Sequence, residues 1–141
     1  MEEFSVLVPI EPTAKGRPRF SVFRGHVHTF TPKKTAEYEA KIAEYYMSVK
    51  GRKFDREQPL CISIEFGMPI PKSTPKSRRL AMAEGILRHI RKPDLDNLIK
   101  AVLDALNGIA WEDDAQVIRI TAKKMYSTDP YVFLKVYESV D

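Results

Sequence analysis

The chain has 141 residues, the size of one ordinary domain, and its 43% hydrophobic and 30% charged residues exclude a disordered chain. The net charge is +4, no apolar run reaches the roughly 18–20 residues of a membrane span, and the single Cys61 excludes an internal disulfide. The opening "MEEFSVLVPI" carries acids where a signal peptide carries lysines. The sequence therefore predicts one cytoplasmic globular domain over residues 1–141.

In chain order the pattern predicts a strand, a hairpin, a helix, a strand, a basic loop, a second helix and two closing strands. Their expected bounds are 4–10, 17–32, 32–49, 60–70, 71–85, 95–107, 115–127 and 130–139, with a short helix at 77–84 inside the basic loop. This order predicts an α+β fold with a single mixed β-sheet and two main helices.

Two local signals give these elements more detail. Alternating apolar residues on both sides of Arg24-Gly25 predict the hairpin turn there, and Thr31-Pro32 is typical of the start of a helix. The apolar stripe of the first helix is expected at Tyr38, Ile42, Tyr45 and Val49.

Positive charge is concentrated in two segments of the chain. No acid lies between Glu11 and Glu37, and Glu84 is the only acid between Glu65 and Asp94. The cations predicted to contact DNA phosphates are Lys15, Arg17, Arg19, Lys72, Lys76, Arg78, Arg79, Arg91 and Lys92. Because this pattern suits an anionic polymer better than a small neutral substrate, a nucleic acid is the favoured partner. The alternative is a solvated surface without a partner.

The stretch "RKPDLDNLIKAVLDALNG" combines polar groups with the apolar pattern of a helix. One interpretation is structural: Asp96 caps the helix, and Asp96, Lys100 and Asp104 recur every four residues as ion-pairing neighbours. The other interpretation is a metal site. The proline makes the start of the stretch extended, so that Asp94 and Asp96 point the same way and repel each other unless a divalent cation lies between them.

A second acidic group follows the helix. The motif "WEDDAQV" places Glu112, Asp113 and Asp114 directly before a strand, where the chain returns towards the sheet and one acid could complete a three-carboxylate site. Mg²⁺ and Mn²⁺ prefer carboxylate oxygens and activate water for phosphodiester hydrolysis. Lys100 could stabilise the developing charge, and Asn97 could bond a phosphate or a metal-bound water.

These motifs resemble the RusA family of Holliday junction resolvases, which is typical of bacterial and prophage genomes. The likeness is carried by "PDLDNLIKAVLDALNG" followed by "EDDAQV", about residues 93–117, and extends more weakly over nearly the whole chain, through "KGRPRF" and "HTFTPKK". It implies a RusA-like fold, a homodimer, and an enzyme that resolves four-way DNA junctions by paired symmetric incisions.

The resemblance also implies roles for particular residues. Asp94, Asp96 and Asp114 match the three aspartates that bind Mg²⁺ or Mn²⁺ in the family, with Asp113 as the substitute for the third. Lys100 matches the lysine of the motif and joins these aspartates as a catalytic residue. The supporting residues are Asn97 and Asp104.

Two other functions stay open at this point. One is a nuclease for forks, flaps or other branched DNA, and the other is a non-catalytic DNA-binding protein in which Asp94 and Asp96 only cap a helix. The basic loop 71–92 would clamp the junction or relax the requirement for a four-way structure. Trp111 is expected to be a hydrophobic anchor rather than a stacking partner for DNA.

Overall fold

The computed structural model describes residues 2–16, 19–30 and 32–140, and at 19–21 and 28–30 it describes the backbone alone. The elements are β1 (Glu3–Val8), β2 (Arg19–Phe23), β3 (His26–Phe30), α1 (Lys33–Ser48), β4 (Leu60–Pro69), α2 (Lys76–Ala83), α3 (Leu95–Leu106), β5 (Val117–Ser127) and β6 (Tyr131–Glu138). A short 3₁₀ turn, Asp114–Gln116, precedes β5. Each predicted strand and helix is present, which confirms the mixed α+β class.

Four strands form one mixed sheet in the order β1-β6-β4-β5. β4 and β5 run parallel, while β6 is antiparallel to both β1 and β4. A parallel pair needs a crossover connection, which α2 and α3 supply between β4 and β5. Among the residues that the structure describes, β2 and β3 pair with each other and with no other strand. The prediction of a single sheet is therefore wrong in this respect, because the hairpin is a separate two-stranded sheet.

The hairpin turn lies where the sequence places it. Arg24 has φ 50° and Gly25 has φ 79°, and positive φ at both central residues is the signature of a type I′ turn. Val22 and Val27 are paired across the ladder and both are exposed, at 73% and 65%. The predicted start of α1 at Thr31 lies outside the described residues.

Helix α1 buries a stripe that differs in part from the predicted one. Tyr38 and Ile42 are buried as expected, but the stripe continues at Tyr46 rather than at Tyr45 and Val49. Tyr45 is partly exposed, and Val49 is exposed. Residues four apart lie on nearly, but not fully, the same side of a helix. The position of the neighbouring elements therefore decides which of two adjacent residues faces inward. Tyr46 faces inward, packs its ring against Phe4, and donates its hydroxyl hydrogen to the Arg52 carbonyl after the helix.

Helix α3 carries the residues of interest and packs its apolar face on α1 and the sheet. Its fully buried side chains are Leu98, Ala101, Val102 and Leu106, with Ala105 nearly so. The helix ends where Gly108 adopts φ 80°. In the part of the chain that the structure describes, no helix is long and apolar enough to cross a membrane.

Candidate functional site

The N-terminus of α3 places Asp94 and Asp96 at the protein surface. The helix begins at Leu95, so Asp94 occupies the N-cap position and Asp96 lies in the first turn. The predictions that Asp96 is the N-cap and that both aspartates lie in one extended segment are therefore wrong. Asp94 makes no side-chain capping hydrogen bond. Since neither aspartate is shown to cap α3 with its carboxylate, helix capping does not account for the pair.

The electrostatics of Asp94 keep it ionised. The Lys92 ammonium lies 2.8 Å from the Asp94 carboxylate, and this hydrogen bond and its charge lower the pKa of Asp94, with a smaller contribution from the charge of Lys124. Lys92 itself is 86% exposed, so it can leave Asp94 when another cation or a phosphate arrives. Asp94 is thus an accessible carboxylate with an exchangeable cationic partner.

Replacing Lys92 with glutamine is expected to raise the pKa of Asp94 towards its ordinary value, because the ammonium that stabilises the ionised form is removed. NMR titration of the Asp94 carboxyl carbon measures this shift. Lys76→Gln, which removes an exposed cation elsewhere in the basic loop, is the control and should leave the Asp94 titration unchanged. An Asp94 pKa equal in the wild type and in Lys92→Gln would contradict the ion pair between Lys92 and Asp94.

Lys124 anchors the segment that carries Asp94. From β5 its ammonium donates to the carbonyl oxygens of Arg91, at 2.7 Å, and Pro93, at 2.8 Å. These bonds hold the chain directly before α3 against the sheet. This role of Lys124 was not predicted from the sequence. It could have been inferred, because Lys124 falls at an inward-facing position of an alternating strand.

The polar side of α3 forms an ion-pair network with Lys15. Lys15 lies 3.1 Å from Asp104 and 2.8 Å from Glu39, and Lys100 lies 3.6 Å from Asp104. Partial burial acts to lower the pKa of Lys15, but the hydrogen bonds to Glu39 and Asp104 outweigh it and raise that pKa. The backbone of Lys15 also donates to the Asn97 carbonyl at 3.1 Å. Lys15, which the sequence predicts to contact DNA, is thus engaged with two carboxylates within the protein.

Asp113 and Asp114, which follow α3, make different hydrogen bonds. Asp113 caps the 3₁₀ turn, its carboxylate accepting from the Ala115 amide at 2.9 Å. One oxygen of Asp114 accepts from the Trp111 indole N–H at 2.7 Å. Trp111 is fully buried, so it is a hydrophobic anchor, as predicted, and it fixes the orientation of Asp114. Each of the two carboxylates thus accepts one hydrogen bond within the protein, and the choice of Asp114 over Asp113 as the third site residue stays a prediction.

The two groups of acids lie at opposite ends of α3. At 1.5 Å per residue, the helix separates Asp94 from Leu106 by about 18 Å. The course of β5 gives a similar separation. Its Lys124 contacts the segment before α3. Val117, which follows the 3₁₀ turn of Asp114, lies seven residues from Lys124, about 23 Å along β5. Among the residues that the structure describes, no three acidic, histidine or cysteine side chains are grouped closely enough to hold a metal ion. Asp94 and Asp96 offer the oxygen donors that a hard divalent cation prefers, but one protomer does not bring Asp114 to them.

Most cations predicted to contact DNA are exposed around the N-terminal end of α3 and on the preceding loop. The exposed members of that set are Lys72, Lys76, Arg78, Arg91 and Lys92. Arg79 is partly buried and donates to the Pro71 carbonyl at 2.9 Å. Arg17 lies outside the described residues, and the structure describes the backbone of Arg19 without its side chain. Arg88, which was not in the predicted set, is exposed on the same loop.

Two comparisons with known proteins show the family of the chain. A family model described as endodeoxyribonuclease RusA matches residues 9–137. The uncharacterized protein YqaN of Bacillus subtilis (strain 168) is 34% identical over 134 residues, which cover 91% of each chain. The matched range 9–137 spans α3 and both groups of acids. The chain therefore belongs to the RusA family of endodeoxyribonucleases.

Proposed function

We propose that the protein is an endodeoxyribonuclease that resolves four-way DNA junctions by paired incisions, using Mg²⁺ or Mn²⁺. The observation that carries the proposal is the pair of exposed carboxylates, Asp94 and Asp96, at the edge of a basic surface in a chain of the RusA family. A surface that only binds DNA gains nothing from carboxylates among its cations, because they repel phosphates.

We further propose that the working unit is a homodimer in which each site is shared. Asp94 and Asp96 of one copy would hold the cation together with Asp114 of a second copy, which removes the separation imposed by α3. The edge strand β5 supports this arrangement, since it exposes Ile118 at 58% and Ile120 at 39%. Both lie along β5 between the 3₁₀ turn of Asp114 and Lys124, which contacts the segment before α3. A two-fold dimer would present two equal sites, as two symmetric incisions require.

The remaining residues bind and orient the DNA. Bound between carboxylates, the cation would supply an activated water and a positive charge at the phosphoryl oxygen. Lys100, one turn along α3 from Asp96 and exposed, would stabilise negative charge on the same phosphate. Asp104 and Lys15 hold the Lys100 side of the helix in place. Arg91 and Lys92 would contact neighbouring phosphates and orient the strand without reading its bases.

Cleavage of a matched set of DNA substrates tests this proposal. End-labelled four-way junction, fork and linear duplex of the same sequence are incubated with the protein in Mg²⁺, in Mn²⁺ and in EDTA. We expect symmetric incisions in the junction with either metal and none in EDTA. Cleavage of the fork but not of the junction would keep the chemistry and change the substrate. Binding to all branched substrates without cleavage in either metal would contradict the nuclease and leave a DNA-binding protein.

A further inference from the structure

The basic loop before α3 contains an open groove with an apolar floor and a cationic rim. Its volume is about 650 Å³. Met82, Leu87 and Tyr126 line it, and Tyr126 is held in place by the His89 ring at a centroid distance of 4.9 Å. The cations lining the groove are Arg78, Arg88 and Arg91.

Two large apolar side chains stand exposed at this groove. Ile86 is 70% exposed and Ile90 is 85% exposed, and both line it. Burial of large apolar side chains is favourable, so two exposed ones lining the same groove mark a surface that gains by being covered. The occupant must also suit the three arginines of the rim.

The charge of the loop selects the class of occupant. Between Glu65 and Asp94 the sequence contains a single acid, Glu84, against seven cations. A second copy docking the same face here would bring these cations against their own equivalents, which is unfavourable. A nucleotide offers what the groove lacks: an apolar base face for the isoleucines and Tyr126, and an anionic phosphate for the arginines.

We propose that this groove receives an unstacked nucleotide at the branch point of the DNA, its base against Ile86, Ile90 and Tyr126 and its phosphate on the arginine rim. The inference rests on the proposed function and deepens it. Bases at a branch point lose part of their stacking, whereas those of a continuous duplex do not, so the groove would favour branched DNA. It would thereby supply structure selectivity without reading sequence.

The groove is mechanically linked to the candidate site. Arg91 lines the groove, and its carbonyl is held by the same Lys124 ammonium that holds the Pro93 carbonyl next to Asp94. Ile90 and Asp94 are four residues apart on this anchored segment. A nucleotide seated in the groove would therefore fix the distance between the branch point and the phosphate presented to Asp94 and Asp96.

The test uses the full chain in EDTA, with a four-way junction carrying 2-aminopurine at the branch point and a linear duplex of the same sequence. Wild type is expected to raise the fluorescence of the junction probe on binding. The double variant Ile86→Ala/Ile90→Ala is expected to lose this rise and to bind the junction on the order of tenfold more weakly, with unchanged duplex affinity. Leu80→Ala, which removes an apolar side chain 60% exposed on α2 and outside this groove, is the matched control and should behave as wild type.

Arg88→Gln separates phosphate contact from base contact, since it should weaken junction binding more than duplex binding, while the junction bound at saturating protein still shows the fluorescence rise. A double variant with wild-type fluorescence rise and junction affinity would overturn the proposal, even if the wild type cuts junctions. A double variant that becomes monomeric where the wild type is a dimer, by sedimentation, would overturn it in favour of a contact between copies. A wild type that raises the fluorescence but does not cut in Mg²⁺ would keep the groove and contradict the nuclease.

Discussion

The Asp96→Asn protein is expected to cut a four-way junction on the order of 10²-fold or more slowly than the wild type. A bound divalent cation contributes several kcal/mol of charge stabilisation in phosphoryl transfer, and each 1.36 kcal/mol corresponds to about tenfold in rate. Asparagine keeps the size of the side chain but removes the charge that would hold the cation. Asp96 is exposed in the first turn of α3, so the change should leave the fold intact.

Single-turnover cleavage with excess protein and Mg²⁺ measures this loss, and gel-shift titration in EDTA measures junction affinity, which should change only a few-fold. Asp129→Asn is the matched control, because Asp129 is an exposed aspartate in the turn between β5 and β6, away from α3. A cleavage rate of Asp96→Asn within a few-fold of the wild type would remove Asp96 from the site and leave it a surface residue of the first turn.

The Trp111→Ala protein is expected to lose about 3–5 kcal/mol of its free energy of unfolding, the usual range for removing a fully buried tryptophan. Trp111 has no exposed surface and belongs to the main core with Phe54 and Leu106. The substitution also removes the donor to Asp114, whose carboxylate would be left with one partner fewer. Urea unfolding followed by circular dichroism measures the change, since the fluorescence of the only tryptophan is lost with it.

Two further variants make this stability prediction specific. Phe23→Ala removes an aromatic ring that is 63% exposed, and it should change the free energy of unfolding by no more than about 0.5 kcal/mol. Trp111→Phe keeps most of the buried volume but not the N–H, so it should destabilise less than Trp111→Ala while still releasing Asp114. Equal stability of the wild type and Trp111→Ala would contradict the burial of Trp111.

Features dictated by local chemistry were predictable from the sequence. The hairpin turn and the end of α3 follow from Gly25 and Gly108, because glycine readily adopts the positive φ found at both. The alternating strands and the short helix in the basic loop were likewise predictable from the sequence. The stripe of α1 was not, because spacing alone permits either Tyr45 or Tyr46, and the contacts of Tyr46 with Phe4 and Arg52 depend on the tertiary fold.

The candidate site was predictable in its residue types but not in its assembly. The paired aspartates and the second acidic group stand out by their spacing, and the tertiary fold then places them at opposite ends of one helix. The pattern of a single sequence does not indicate how a second copy would bring the two acidic groups together. The anchoring role of Lys124 was hidden for a related reason, because it depends on the crossover that lays β5 beside residues 91–93.

Mixed dimers test whether the nuclease site is shared between two copies. Asp96→Asn and Asp114→Asn protomers carrying different affinity tags are co-expressed, and dimers bearing both tags are purified. In a shared arrangement such a dimer has one intact site and one site with both changes, so we predict metal-dependent single nicks in the four-way junction, while each homodimeric variant cuts neither strand. Mixed dimers as inactive as the two homodimers would contradict the shared site.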